Sequence, residues 1–350
     1  MRKQLLFFCF IIFASLGLSA QDAHFSQNYA TPMYVNPGLT GLYNGDIRMT
    51  ATFRNQWASI STSAPYRTLA VSVDGKLTPD NGKKGWISGG LHILSDKAGL
   101  LNFSTNAIDV ALALNTSIAE SHFISFGLMA GINRKSFDFN TAEFGNQFNG
   151  IGYSSEIQSN EIFDSNGYTR FGLSGGGIYY YLKDNRTYWY VGGAAYNLVQ
   201  SKKTFLGVGE EGLGMPSRIS AQMGGSFKVH SRIDIVPGLY FVKQSIHLKT
   251  DLGTLVRYVI QNNSRSGIFR ALSIGPWLRL TKGFESGMEM DALIIATRLD
   301  YDAWAFGLAY DFNISDLNNA TNGKGGTELT VAYMPKIRVR KLAPTSCPRF

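Results

Sequence analysis

Ile124-Ser125-Phe126-Gly127-Leu128-Met129-Ala130-Gly131-Ile132-Asn133 reads as two interleaved sets. Ile124, Phe126, Leu128, Ala130 and Ile132 fall on one side of an extended chain and the residues between them on the other, because successive side chains of a strand point to opposite faces. The pattern recurs far along the chain. Trp304, Phe306, Leu308, Tyr310 and Phe312 alternate with Ala305, Gly307, Ala309 and Asp311; Ile219, Ala221, Met223, Gly225, Phe227 and Val229 alternate with Ser220, Gln222, Gly224, Ser226 and Lys228. One face of each segment suits lipid while the other is small or polar, as a transmembrane β-barrel requires. A soluble β-sandwich also alternates, but its solvent face should be charged, whereas Gly, Ala, Ser and Asn dominate here.

Composition agrees with this reading. Of 350 residues, 44% are hydrophobic and 17% charged, a low charge content beside the roughly 25% of an ordinary soluble domain. The 23 Phe, 17 Tyr and 5 Trp exclude a chain too polar to pack. A mean hydropathy of -0.06 argues against a polytopic helical membrane protein, since no run of about 20 apolar residues follows the N-terminus. Carried along the chain, the alternation predicts an all-β fold, a transmembrane antiparallel β-barrel of about 14 strands between 47 and 337. An even count places both barrel ends on the periplasmic side. The three longest connections, 138–167, 199–215 and 314–325, then all face outward, as barrels with short periplasmic turns require. Tyr188-Trp189-Tyr190 and Trp57 suit interfacial girdles. On this reading Leu128→Arg should be costly and Gly127→Ser, on the lumen face, much less so.

The flanks divide the chain further. Arg2 and Lys3 precede the apolar stretch Leu5 to Leu18, so residues 1–20 read as a signal peptide cleaved near Ala20, which implies the outer membrane of a Gram-negative bacterium as destination. Cys9 leaves with it, and Cys347 alone permits no intramolecular disulfide. Residues 21–46 form a periplasmic lead-in or plug segment, expected to fold back into the barrel mouth because Phe25, Tyr29, Met33, Tyr34 and Leu39 are too apolar for water. Residues 47–337 are the barrel and 338–350 a basic periplasmic tail. The net charge of +8 falls to +6 without Arg2 and Lys3, and Lys336, Arg338, Arg340, Lys341 and Arg349 near the C-terminus account for most of that excess. The basicity therefore belongs to a tail rather than to a nucleic-acid-binding face.

Two catalytic patterns occur by chance. Gly172-Leu173-Ser174-Gly175-Gly176 satisfies G-x-S-x-G, but Ser174 sits inside an alternating run with no helix after it. Gly207-Val208-Gly209-Glu210-Glu211-Gly212 satisfies G-x-G-x-x-G, yet its two acids would repel a pyrophosphate and Pro216 follows where a helix should run. His24, His92, His122, His230 and His247 have no H-x-x-x-H spacing. The expectation is no catalytic site, no cofactor and no metal.

Phe25-Ser26-Gln27-Asn28-Tyr29, Val35-Asn36-Pro37-Gly38-Leu39-Thr40-Gly41, Phe53-Arg54-Asn55-Gln56-Trp57, Tyr310-Asp311-Phe312-Asn313-Ile314-Ser315-Asp316-Leu317 with Ala320-Thr321, and the terminal Cys347-Pro348-Arg349-Phe350 together resemble the PorP/SprF family of type IX secretion system membrane proteins of the Bacteroidetes. Gly38 stands where the family more often has Ala, and Phe53 where Tyr is common. The resemblance implies a non-enzymatic outer-membrane barrel that assists secretion or surface attachment of adhesin-type clients, as in gliding motility. Its partners would be that client and other secretion subunits, a periplasmic lipoprotein ring among them. The residues alone equally permit a passive porin or uptake channel.

Two candidate sites follow. Asn36 begins an Asn-Pro-Gly turn, and Arg54 and Gln56 share the face of Arg48, Thr50 and Thr52, so these residues form either a polar lumen latch for a plug or client, or a structural hydrogen-bond network inside the wall. The second is the outward loop 138–167, where Phe144, Gln147, Phe148 and Tyr153 are the expected partner-binding residues; Phe144-Gly145-Asn146-Gln147-Phe148 also resembles a loop segment of the family. Its aromatics either meet a partner or fold inward to cap the barrel.

Overall fold

A computed structural model describes residues 22–57, 66–78, 85–99, 101–139, 144–154, 156–158, 160, 165–199, 203–205, 207–208, 215–263, 268–282, 287–316 and 318–335. The expected signal peptide and basic tail lie outside them, as does most of the G-x-G-x-x-G segment. The strands are β1 (Ile47–Gln56), β2 (Tyr66–Lys76), β3 (Trp86–Ala98), β4 (Phe103–Ala119), β5 (His122–Ser136), β6 (Gly167–Leu182), β7 (Tyr188–Tyr196), β8 (Lys203–Thr204), β9 (Gly207–Val208), β10 (Arg218–Lys228), β11 (Ile233–Gln244), β12 (His247–Asn263), β13 (Ile268–Lys282), β14 (Met288–Tyr301), β15 (Trp304–Asn313) and β16 (Lys324–Tyr333). β8 and β9 form a small hairpin of their own. The other strands close a 14-stranded antiparallel barrel, each paired with its neighbour in the chain, β7 with β10, and β1 with β16 at the closing seam.

Burial is inverted relative to a soluble protein. Phe126 is 62% exposed, Leu128 65% and Ile219 55%, whereas Arg48, Arg54 and Arg279 are among the largest side chains sealed from solvent. An apolar exterior and a polar interior are stable only where the exterior meets hydrocarbon. Along β1, outward Met49 and Phe53 alternate with inward Arg48, Thr50, Thr52 and Arg54. The connections 137–166, 197–217 and 314–323 all emerge at one end, which faces outward in barrels of this class. The girdle reading needs one correction. Trp189 is exposed, but Tyr188 is buried and Tyr190 lines a lumenal cavity, because neighbours in a strand cannot share a face.

Residues 22–46 occupy the lumen, and they do not stop at the near mouth. Asp22 meets Gln244 and Arg218 at the long-loop end; Ser26 to Asn28 meet Asp311, Glu328 and Asp251 further in. A one-turn helix, Pro32–Val35, crosses the middle, and Gly41 and Tyr43 reach Asp74 at the opposite end, where β1 begins. This plug has no strand periodicity because its neighbours surround it, and every residue from Thr31 to Tyr43 is buried. Cavities of about 20, 40 and 50 Å³ remain beside it.

Candidate functional site

The plug is held at three levels. Below the Asp22 contacts at the long-loop end, the backbone N–H groups of Ser26 and Gln27 each donate to the Glu328 carboxylate at 2.7 Å. The Ser26 hydroxyl donates to Asp311 at 2.7 Å and accepts from the guanidinium groups of Arg279, at 2.7 Å, and Arg54. Its one donor and two acceptor positions are thereby filled. Arg54 and Arg279 each reach Asp311, at 2.7 and 2.8 Å. Arg279 continues to Asp251 at 3.1 Å, and Asp251 also takes Lys249 at 2.8 Å and the Asn28 amide at 2.7 Å. Three cations, Arg54, Arg279 and Lys249, thus face three buried carboxylates, Asp251, Asp311 and Glu328, and Arg279 also stands 3.7 Å from the partly exposed Asp291. A buried network of this kind tolerates no unpaired member.

Strand register builds the cluster. Arg54 lies opposite Glu328 across the β1–β16 seam, so the plug is tied to the strands that close the barrel. Asp311, from β15, is inward because Tyr310 and Phe312 flank it on the other face of the strand.

At mid-depth the Asn36 amide donates to the carbonyls of Gly177 and Gly193 at 3.0 and 3.2 Å, while its oxygen accepts from Gly38 N–H at 2.8 Å. The wall makes room by omitting side chains: a Cβ on Gly127 would strike the Pro37 carbonyl, and one on Gly176 the Asn36 amide oxygen. The mild outcome expected for Gly127→Ser is therefore reversed, since the lumen at that point is filled by backbone. At the β1 end, Arg48 grips Asp74 with two nitrogens at 2.9 and 2.8 Å and donates to the Leu39 carbonyl at 2.9 Å. Asp74 also accepts from Gly41 N–H at 2.6 Å.

Asn36 and Arg54 therefore both touch the plug–wall contact, but at different depths and without meeting. Gln56 is half-buried and accepts from Arg54 at 3.2 Å, supporting that guanidinium from the side. Ser26, Asn28, Asp251, Arg279 and Glu328 had no assigned role in the sequence reading. Ser26, Asn28 and Asp311 did stand in segments quoted for the family resemblance, and these segments converge in space. Ser174 is buried on the lumen face in mid-strand, away from any strand-to-helix turn.

The outward loop divides in two. Phe137, Phe139 and Phe144 make successive ring contacts at its base, and Phe205 of the β8–β9 hairpin packs on Phe137, Phe103 and Tyr168 at 4.9, 5.7 and 4.9 Å. Gln147 closes a tight turn, its amide oxygen accepting from Phe144 N–H at 3.1 Å and its nitrogen donating to the Ile157 carbonyl at 2.9 Å. Phe148 and Tyr153 face each other across a β-bridge with rings 5.3 Å apart, and both are exposed beside Ile151, which is 97% exposed.

A family model described as "Type IX secretion system membrane protein PorP/SprF" matches residues 17–333. No curated protein matches the chain. Among solved structures, the CymD monoaromatic hydrocarbon channel is 11% identical, with 92% of this chain and 95% of that chain covered and a TM-score of 0.47. The Pseudomonas putida toluene transporter TodX is 11% identical, with 91% and 95% covered and a TM-score of 0.44.

Proposed function

Because the chain belongs to the PorP/SprF family of type IX secretion system membrane proteins, we propose that it is a plugged, non-enzymatic outer-membrane barrel. In this role it assists secretion or surface attachment of adhesin-type clients, as in gliding motility. The observation that carries the reading is the filled lumen: a passive porin keeps an aqueous path, whereas here residues 22–46 traverse the barrel and are locked by a buried ion network. A barrel whose interior is occupied works through its surfaces. Its outward surface carries Phe148, Tyr153 and Ile151 at the tip of a loop whose base is braced by aromatic packing, with Phe144 and Gln147 shaping the turn beneath. Exposed aromatics on a braced support are the usual anchors for a client. The periplasmic surface and basic tail would face other secretion subunits, a lipoprotein ring among them, and cleavage near Ala20 would deliver the chain to the outer membrane.

Planar-bilayer recording and surface display test this together. The intact barrel should show little steady conductance, and deleting residues 22–44 should open it. Replacing Phe144, Phe148 and Tyr153 with Ser should abolish surface display of the client while the barrel accumulates normally. A large, constitutively open pore in the intact protein would instead favour an uptake channel.

A further inference from the structure

Arg218, at the start of β10, is 4% exposed, and its guanidinium carbon lies 4.4 Å from the ring centroid of Tyr34 and 3.9 Å from that of Tyr196. Cation–π contact with two rings holds the guanidinium in place and leaves its N–H groups to select what binds. Those N–H groups are incompletely used. One terminal nitrogen donates to the Tyr34 carbonyl at 3.2 Å, the other stands 3.6 Å from the Asp22 carboxylate, beyond hydrogen-bond reach, and Nε has no partner. A buried charged donor left in this condition is costly unless something else completes it.

Beside it, at the long-loop end, is the cavity of about 50 Å³. Its lining brings together Arg218, Lys249 and Lys282 beside one acid, Asp22, with the imidazoles of His24 and His247. Lys249 is already paired with Asp251, whereas Lys282 is exposed and has no ion-pair partner among the described residues. The space exceeds the roughly 10 to 15 Å³ that one water requires, so a group of several heavy atoms fits. Asp22 shows what kind of group the pocket accepts: its carboxylate is oriented by Gln244, which takes its backbone N–H at 3.0 Å and donates to it at 3.3 Å, yet it falls short of full contact with Arg218.

We infer that this pocket is a carboxylate-binding site opening on the outward side, in which Asp22 is a loose internal occupant that an external carboxylate displaces. A carboxylate seated closer than Asp22 would take a charge-assisted hydrogen bond from the terminal nitrogen of Arg218 that Asp22 leaves at 3.6 Å, and Lys282 supplies a second positive charge at the rim.

Calorimetry on the detergent-solubilised full chain should show saturable binding of acetate, with N-acetylglycine binding and N-acetylglycinamide not. Arg218→Gln should weaken acetate binding roughly tenfold or more, the loss expected for a hydrogen bond to a charged group. Asp22→Asn, which leaves the packing intact, should tighten it, and Lys282→Gln should weaken it. Absence of saturable acetate binding, binding of inorganic phosphate without acetate, equal binding of the acid and its amide, or an unchanged affinity in Asp22→Asn would each overturn the site.

Discussion

Arg54 is where a single side chain has the most to lose. It bonds Ser26, Asp311 and Glu328 while almost wholly buried, so Arg54→Ala leaves Glu328 without its cation and should destabilise the barrel by about 3–5 kcal/mol. Gln56→Ala removes one supporting hydrogen bond and should cost about 1 kcal/mol. Urea titration followed by the heat-dependent gel shift of the folded barrel separates the two. Gly127 and Leu128 offer a sharper comparison, since they are neighbours facing opposite ways. Leu128→Arg places a cation in lipid at about 2–4 kcal/mol, and Gly127→Ser drives a side chain into the Pro37 carbonyl at about 1–3 kcal/mol. Deleting residues 22–44 should abolish the second penalty and leave the first unchanged. If Gly127→Ser remains destabilising without the plug, the clash is not its cause.

At the scale of elements, the strands were legible and the plug's path was not. Each strand carries its own evidence: Met49, Phe53 and Leu128 had to be outward because their neighbours were small or polar, and this local alternation gave element positions within a few residues. Residues 22–46 have no such internal constraint, because their partners are supplied by strands from β1 to β16. The apolar content of Phe25, Met33 and Leu39 signalled burial, but could not signal that the segment runs the full length of the barrel. Nor could Gly127 or Gly176 be read as contact positions, since a glycine on a lumen face looks the same whether it meets water or backbone. The outward loop shows the same division. Its aromatic richness was visible, but the split between a packed base and an exposed tip depends on Phe205, which belongs to another connection. Phe205→Ala should therefore loosen the 137–166 loop, seen as faster proteolytic nicking there with the barrel intact; an unchanged cleavage rate would mean that the base holds itself.

For the molecule as a whole, the plug fixes which side each part of the N-terminal segment reaches. Asp22 lies at the long-loop end although β1 starts at the other, so Ala23→Cys, made with Cys347→Ser, should react with a membrane-impermeant thiol reagent added to intact cells. A cysteine at Asn44, by the β1 end, should not. The reverse pattern would place the long loops in the periplasm. The same feature sets an order of events in biogenesis. Ser26 meets Glu328 across 302 positions of sequence, and it does so at the seam where first and last strands join. Contacts of such high contact order carry the full loop-closure entropy and give nothing back until the last strand arrives. A nascent barrel lacking β16 therefore has neither a closed wall nor the Glu328 anchorage of the plug, and the two are acquired in one late step. Premature truncation anywhere before Glu328 should yield an open, protease-labile sheet rather than a slightly smaller barrel.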